Sequence, residues 1–156
     1  MERITLEEYL GPYIGTEWAT PEIRENATKL LEAVNSGLGF AVAEGIALLP
    51  NPKTDSYISG EGHGGFRGPD FDGGAIHSKH RTGQAVDIYD PYRVLAVWSL
   101  KNRDLLRDAG IACMEAPRFT PTWVHWQCVP VGSGSWAFVP SRNAHALAAP
   151  LEGEIT

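Results

Sequence analysis

Ser78, His80, Gly83, Ala85 and Asp87 fall within ten consecutive residues, and His125 follows inside Trp123-Val124-His125-Trp126. Two imidazoles and one carboxylate are a donor set for one divalent metal ion, and three such donors leave a fourth tetrahedral position open, the catalytic rather than the structural arrangement for zinc. Two neutral ligands and one anion leave the ion a net positive charge, which acidifies a bound water and polarises a carbonyl. The set therefore predicts a hydrolase built on one zinc ion held by His80, Asp87 and His125. A facial triad for non-haem iron uses the same donor types, but it draws them from nearly adjacent positions, whereas Asp87 stands seven positions after His80. No Gly-x-Ser-x-Gly elbow surrounds Ser78, so Ser78 reads as a turn or supporting hydrogen bonder, not a nucleophile.

The elements must bring these side chains together. In a strand over 84–89 the side chains alternate, so Ala85, Asp87 and Tyr89 share one face. The small Ala85 leaves room beside the carboxylate, and Gly83 lets the preceding turn fold His80 back toward it. A strand around Val124 places Trp123, His125 and Gln127 on one face, with Trp126 opposite. One of the two tryptophans flanking His125 is then expected in the core and the other along the cleft. If the two strands are close in one sheet, the three donors meet.

Elsewhere Thr20 and Pro21 predict a helix start, with Ile23, Ala27, Leu30, Leu31 and Val34 on one face until Gly37. Gly39-Phe-Ala-Val-Ala reads as a strand, and 50–76, rich in Gly, Pro, Asp and Ser, as a long loop walling the site. A second helix is expected from Asp90-Pro91 to Gly110, burying Val94, Leu95, Trp98, Leu105 and Leu106, with strands near 111–115, 122–129 and 134–139. The expected fold is α+β: one domain over 1–156, with a core at about 20–140 and an irregular tail at 141–156, its small, mostly antiparallel sheet packed against two helices. Gly60-Glu-Gly62-His-Gly-Gly65 matches a dinucleotide fingerprint only formally, because Pro69 and Gly73-Gly74 stand where its helix would run.

Composition narrows the partners. A net charge of −6 with no Lys/Arg cluster argues against nucleic acid, and no apolar run has the length that spans a bilayer. Cys113 and Cys128 are too few for a disulfide framework and read as small buried hydrophobes, with a single bridge between them left open. The first eight residues lack the pattern of a secretory signal, so the expectation is cytoplasmic synthesis.

Ser78-x-His80-x-x-Gly83-x-Ala85-x-Asp87 followed by Trp123-Val-His125 resembles the zinc peptidases of bacterial cell-wall peptides: D-alanyl-D-alanine carboxypeptidases, phage L-alanyl-D-glutamate endopeptidases and, more distantly, the hedgehog signalling domain. Gly64-Gly65-Phe66-Arg67, with its arginine thirteen residues before His80, is similar to the family's Ser-Gly-Tyr-Arg segment. The likeness covers about 57–128. It implies a hedgehog-like fold, His80, Asp87 and His125 as zinc ligands, Arg67 as a substrate residue, and a stem-peptide bond of peptidoglycan, D-Ala-D-Ala or L-Ala-D-Glu, as substrate. Arg67 has a second reading, pinning the loop through a carbonyl or Asp70. Many members carry the general base three residues before the last histidine, or a second histidine two before it, where this chain has Thr122 and Trp123. The base is therefore sought in Glu115, at the end of the preceding strand, with Asp70, Asp72 and His77 as weaker substitutes. His63 and His77 otherwise read as loop residues and His145 as surface. The activity implied is that of a lysin released through a membrane lesion, or of a virion-borne or cytoplasmic enzyme. The rival readings are a zinc-holding binding module and a virion structural protein, neither with turnover.

Overall fold

Thr5 Oγ1 accepts from the Glu8 amide (3.1 Å) while Glu8 Oε1 accepts from the Thr5 amide (3.2 Å), a capping box that starts helix α1 (Leu6–Leu10). In the computed structural model, which describes residues 2–72, 77–140 and 151–154, this helix belongs to the core: Ile4, Tyr9, Leu10 and Tyr13 are buried. The core thus begins well before the expected 20. Thr5-x-x-Glu8 was the signal for it.

Helix α2 (Pro21–Ala43) starts as Thr20 and Pro21 require, with Thr20 Oγ1 accepting from the Ile23 amide. It does not stop at Gly37, and 39–43 is helix, not strand. Leu38 and Ala41 continue the buried stripe of Leu30 and Val34. Gly37 is a packing position: a Cβ there would lie 2.8 Å from Leu106 Cδ2 and 3.1 Å from the Trp126 ring. The stop is Gly45, with φ +94°, where Ile46 N donates to Ala41 O and Gly45 N to Val42 O, a Schellman motif.

The expected helix over 90–110 is two, α3 (Val94–Lys101) and α4 (Arg103–Ala109), broken at Asn102, whose side chain donates to Trp98 O. Asp90 caps α3 by accepting from the amides of Leu95 (3.1 Å) and Ala96 (2.8 Å). Leu95, Trp98 and Leu106 are buried as expected, but Val94 is exposed. Gly110 ends α4 in the left-handed conformation.

Strands β1 (Ala85–Tyr89), β2 (Cys113–Glu115), β3 (Trp123–Gln127) and β4 (Ala137–Phe138) form one sheet in the order β1-β3-β2-β4. β3 is antiparallel to both β1 and β2, while β4 runs parallel to β2, so the fold is α+β with a small mixed sheet. One face, carrying Val86, Ile88, Met114, Val124 and Trp126, lies in the core with α2 and Leu106 of α4. The other carries Asp87, His125 and Glu115. Both cysteines are free, and no helix of the described residues is long and apolar enough to cross a membrane.

The wall segment 50–72 is tied down by backbone. Tyr89 N donates to Tyr57 O, Ser59 N to Asp87 O, Asp87 N to Gly64 O, Phe66 N to Tyr9 O and Arg67 N to His80 O. Gly65 makes this approach possible, since a Cβ there would sit 2.1 Å from Tyr9 O. Of the tail, 151–154 docks through buried Glu154, which accepts from the amides of Leu151 and Arg118. His145 and the rest of the tail lie outside the described residues.

Candidate metal centre

β1 and β3 pair with Asp87 opposite His125, so alternation places carboxylate and imidazole side by side on the face away from the core. Continuing the β2–β3 register past Met114–Trp126 puts Glu115 opposite His125 on its other side, and Glu115 pairs with Phe138 of β4. Asp87, His125, Glu115 and Phe138 therefore form one row across four strands. His80 enters from a 3-10 turn (Lys79–Thr82) that Ser78 caps by accepting from the His80 amide, the turn role expected of it. The turn closes on Gly83 at φ +76°, a left-handed position that favours glycine.

Three atoms converge. His80 Nε2 lies 3.3 Å from His125 Nδ1 and 3.2 Å from Asp87 Oδ1, and His125 Nδ1 lies 3.0 Å from Asp87 Oδ1. Ligands about 2.0 Å from a tetrahedral ion stand about 3.3 Å apart along each edge. The three spacings fit that triangle, and His80, Asp87 and His125, all buried, lie close enough to hold a metal ion.

The remaining atoms of each group are engaged so that these three point inward. His80 Nδ1 is 2.8 Å from the carbonyl of Gly65, which can only accept, so Nδ1 carries the proton and Nε2 the lone pair. Gln127 Nε2 donates to Val129 O (2.7 Å), which turns Gln127 Oε1 toward His125 Nε2 (2.9 Å). His125 Nε2 therefore donates and Nδ1 is free to ligate. Arg67 Nη2 donates to Asp87 Oδ2 (3.1 Å) and Arg67 Nε to His63 O (2.7 Å), with the guanidinium over the Phe71 ring.

Burial and the neighbouring charges set the ionisation of the three groups. Burial by itself would raise the Asp87 carboxyl, but the adjoining His80 and His125 hold it well below the usual carboxylate range. Burial lowers His80 against the pull of Asp87. Burial works the same way on His125, but its bonds to Asp87, then the charges of Asp87 and Glu115, outweigh it and raise the group.

These side chains line a cavity of about 230 Å³. Arg67, Lys79, Glu115, His77 and Gln127 add polar groups to it, and Trp123, Val131, Phe138 and Pro140 an apolar wall. Glu115 is buried, with Oε2 3.9 Å from His125 Nδ1. Of the substitutes for Glu115, His77 reaches the cavity. Asp70 instead accepts from the Tyr13 hydroxyl, and Asp72 is exposed and off the lining. His63 packs on Phe71 and its carbonyl accepts from Arg67 Nε, a loop contact of the kind the second reading of Arg67 expects, while Arg67 Nη2 bonds Asp87 and the residue also lines the cavity. Trp126 is core and Trp123 lines the cleft. The sequence reading missed the bonding of Gln127 and the Gly65 carbonyl. Gln127 sharing the His125 face was the available clue, whereas a carbonyl has no residue-type signature. Comparisons with known protein families, with curated proteins and with solved structures find no match to this chain.

Proposed function

We propose that this chain is a zinc-dependent peptidase acting on the peptide stems of bacterial peptidoglycan. The observation that carries the reading is the inward convergence of His80 Nε2, Asp87 Oδ1 and His125 Nδ1 at tetrahedral-edge spacing, beside Glu115, in an open cavity. Two nitrogens and one oxygen in that geometry favour zinc among divalent ions. A zinc ion bound there supplies a Lewis acid that acidifies water and polarises a carbonyl.

The protein's own groups do the rest. Arg67 occupies Asp87 Oδ2, fixing which oxygen faces the ion. The Glu115 carboxylate takes a proton from the attacking water, a C–O bond forms, the peptide C–N bond breaks, and Glu115 passes that proton to the departing amine. The carboxylic acid and amine leave, the acid's remaining proton passing to the amine to give carboxylate and ammonium, with no net change at Glu115. Trp123, Val131, Phe138 and Pro140 keep bulk water from one side and suit small apolar side chains such as alanine. The motif's resemblance supplies the substrate class, D-Ala-D-Ala or L-Ala-D-Glu.

The test is release of new amino groups from peptidoglycan and from short peptides carrying either bond, with zinc-loaded and chelated protein. Activity is expected only in the loaded sample. Glu115→Gln is expected to keep the metal while losing roughly 10²–10⁴-fold in rate. A loaded sample inert on every substrate sinks the peptidase reading in favour of a metal-holding binding module, which Thr122 and Trp123, standing where many members of the resembled family carry the base, favour.

A further inference from the structure

In the resembled family an arginine at the position of Arg67 faces the substrate. Here that guanidinium is committed within the protein: it bonds Asp87 Oδ2 and His63 O, stacks on Phe71, and its side chain is only 13% exposed. A different cation lines the same cavity. Lys79 immediately precedes ligand His80, and its backbone is pinned because Lys79 O accepts from the amide of Gln84 (2.9 Å) and the hydroxyl of Thr82 (3.2 Å). Among the described residues its ammonium is in no ion pair with a carboxylate. Among the described residues the cavity's fixed charges are Arg67 and Lys79 against Asp87 and Glu115, two positive and two negative, so a divalent ion would leave these groups at +2 within a chain of net charge −6. A local positive field in a negative molecule selects an anionic group close to the reacting bond.

We infer that Lys79 is the residue that reads the substrate, binding a free α-carboxylate on the amino acid that departs as the amine. This rests on the peptidase reading and narrows it. Both stem-peptide bonds have that chemistry: the last D-alanine of D-Ala-D-Ala ends in a carboxylate, and a D-glutamate joined onward through its side chain keeps its α-carboxylate free. An ordinary internal peptide bond, whose next carboxyl is an amide, lacks it. A Lys79 contact of this kind would favour either stem-peptide bond over an internal bond of common protein sequence.

The experiment uses zinc-loaded Glu115→Gln protein, which does not consume the ligand, and two peptide pairs that differ only in that carboxylate. These are N-acetyl-D-alanyl-D-alanine against its C-terminal amide, and N-acetyl-L-alanyl-D-glutamate γ-methylamide against its α-amide. Calorimetry is expected to show the acid of at least one pair binding roughly tenfold or more tighter than its amide. Adding Lys79→Met should erase that preference at unchanged zinc content, and adding Lys79→Arg should keep it. An acid preference that survives Lys79→Met, or none with Lys79 in place, overturns the inference. Turnover by unmutated protein separates the two claims. Hydrolysis without acid preference leaves the peptidase and removes the Lys79 role, whereas a Lys79-dependent preference without hydrolysis leaves the anion site and removes the peptidase.

Discussion

An imidazole ligates only through a nitrogen whose lone pair is exposed, so what the second nitrogen bonds decides whether a histidine is a ligand at all. His80 meets that condition with a carbonyl and His125 with the side chain of Gln127. Gln127→Leu removes the acceptor and is expected to weaken zinc binding about 10–100-fold in a chelator-competition titration, while Gln127→Glu, which keeps an acceptor oxygen, should retain most of the affinity. Equal losses in the two variants would show that Gln127 only fills space. His80, Asp87 and His125 were legible in the sequence because donor type and strand alternation are both readable from residue identity. Glu115 was legible by register, since a short antiparallel return carries it to the side of His125. Arg67 was legible as a residue of the site, but its partner, Asp87 in place of Asp70, depends on how the loop folds over β1.

At the level of elements, the misreading of α2 shows where local signals run out. Gly37 and Gly39 look alike in the sequence, and either could end a helix; only tertiary packing separates them. A Cβ at 37 meets Leu106 and Trp126, whereas one at 39 meets nothing within 4 Å. Gly39→Ala is therefore expected to stabilise the protein by up to about 1 kcal/mol, the helix-propensity gain over glycine. Gly37→Val should cost about 2–3 kcal/mol through overpacking against a fully buried tryptophan. Thermal unfolding of the two variants checks the pair, and a Gly39→Ala variant less stable than its parent would refute a helix through 43. The break at Asn102 falls in the polar run Lys101-Asn-Arg-Asp104, which a solvent-facing turn of one continuous helix would also carry, and no glycine or proline marks it.

For the whole molecule, the three ligands come from β1, β3 and the turn at Lys79–Thr82, so an ion binding there clasps segments that are 45 residues apart in the chain. Zinc at a hundred times its dissociation constant adds about 2.7 kcal/mol to stability, which for a domain of this size raises Tm by roughly 5–10 °C. Melting curves with zinc and after chelation should differ by that amount. An unchanged Tm would mean that the folded state holds no ion. The row Asp87–His125–Glu115–Phe138 has a consequence for assembly. Sliding β3 by two residues would keep its apolar side chains on the inner face, so polar–apolar alternation alone does not forbid the mistake, yet it would carry His125 roughly 7 Å from Asp87. Such an error passes the alternation of side chains but would cost a bound cation one of its ligands, so an ion held there would act as a proofreader of strand alignment, gripping only chains whose strands are paired correctly.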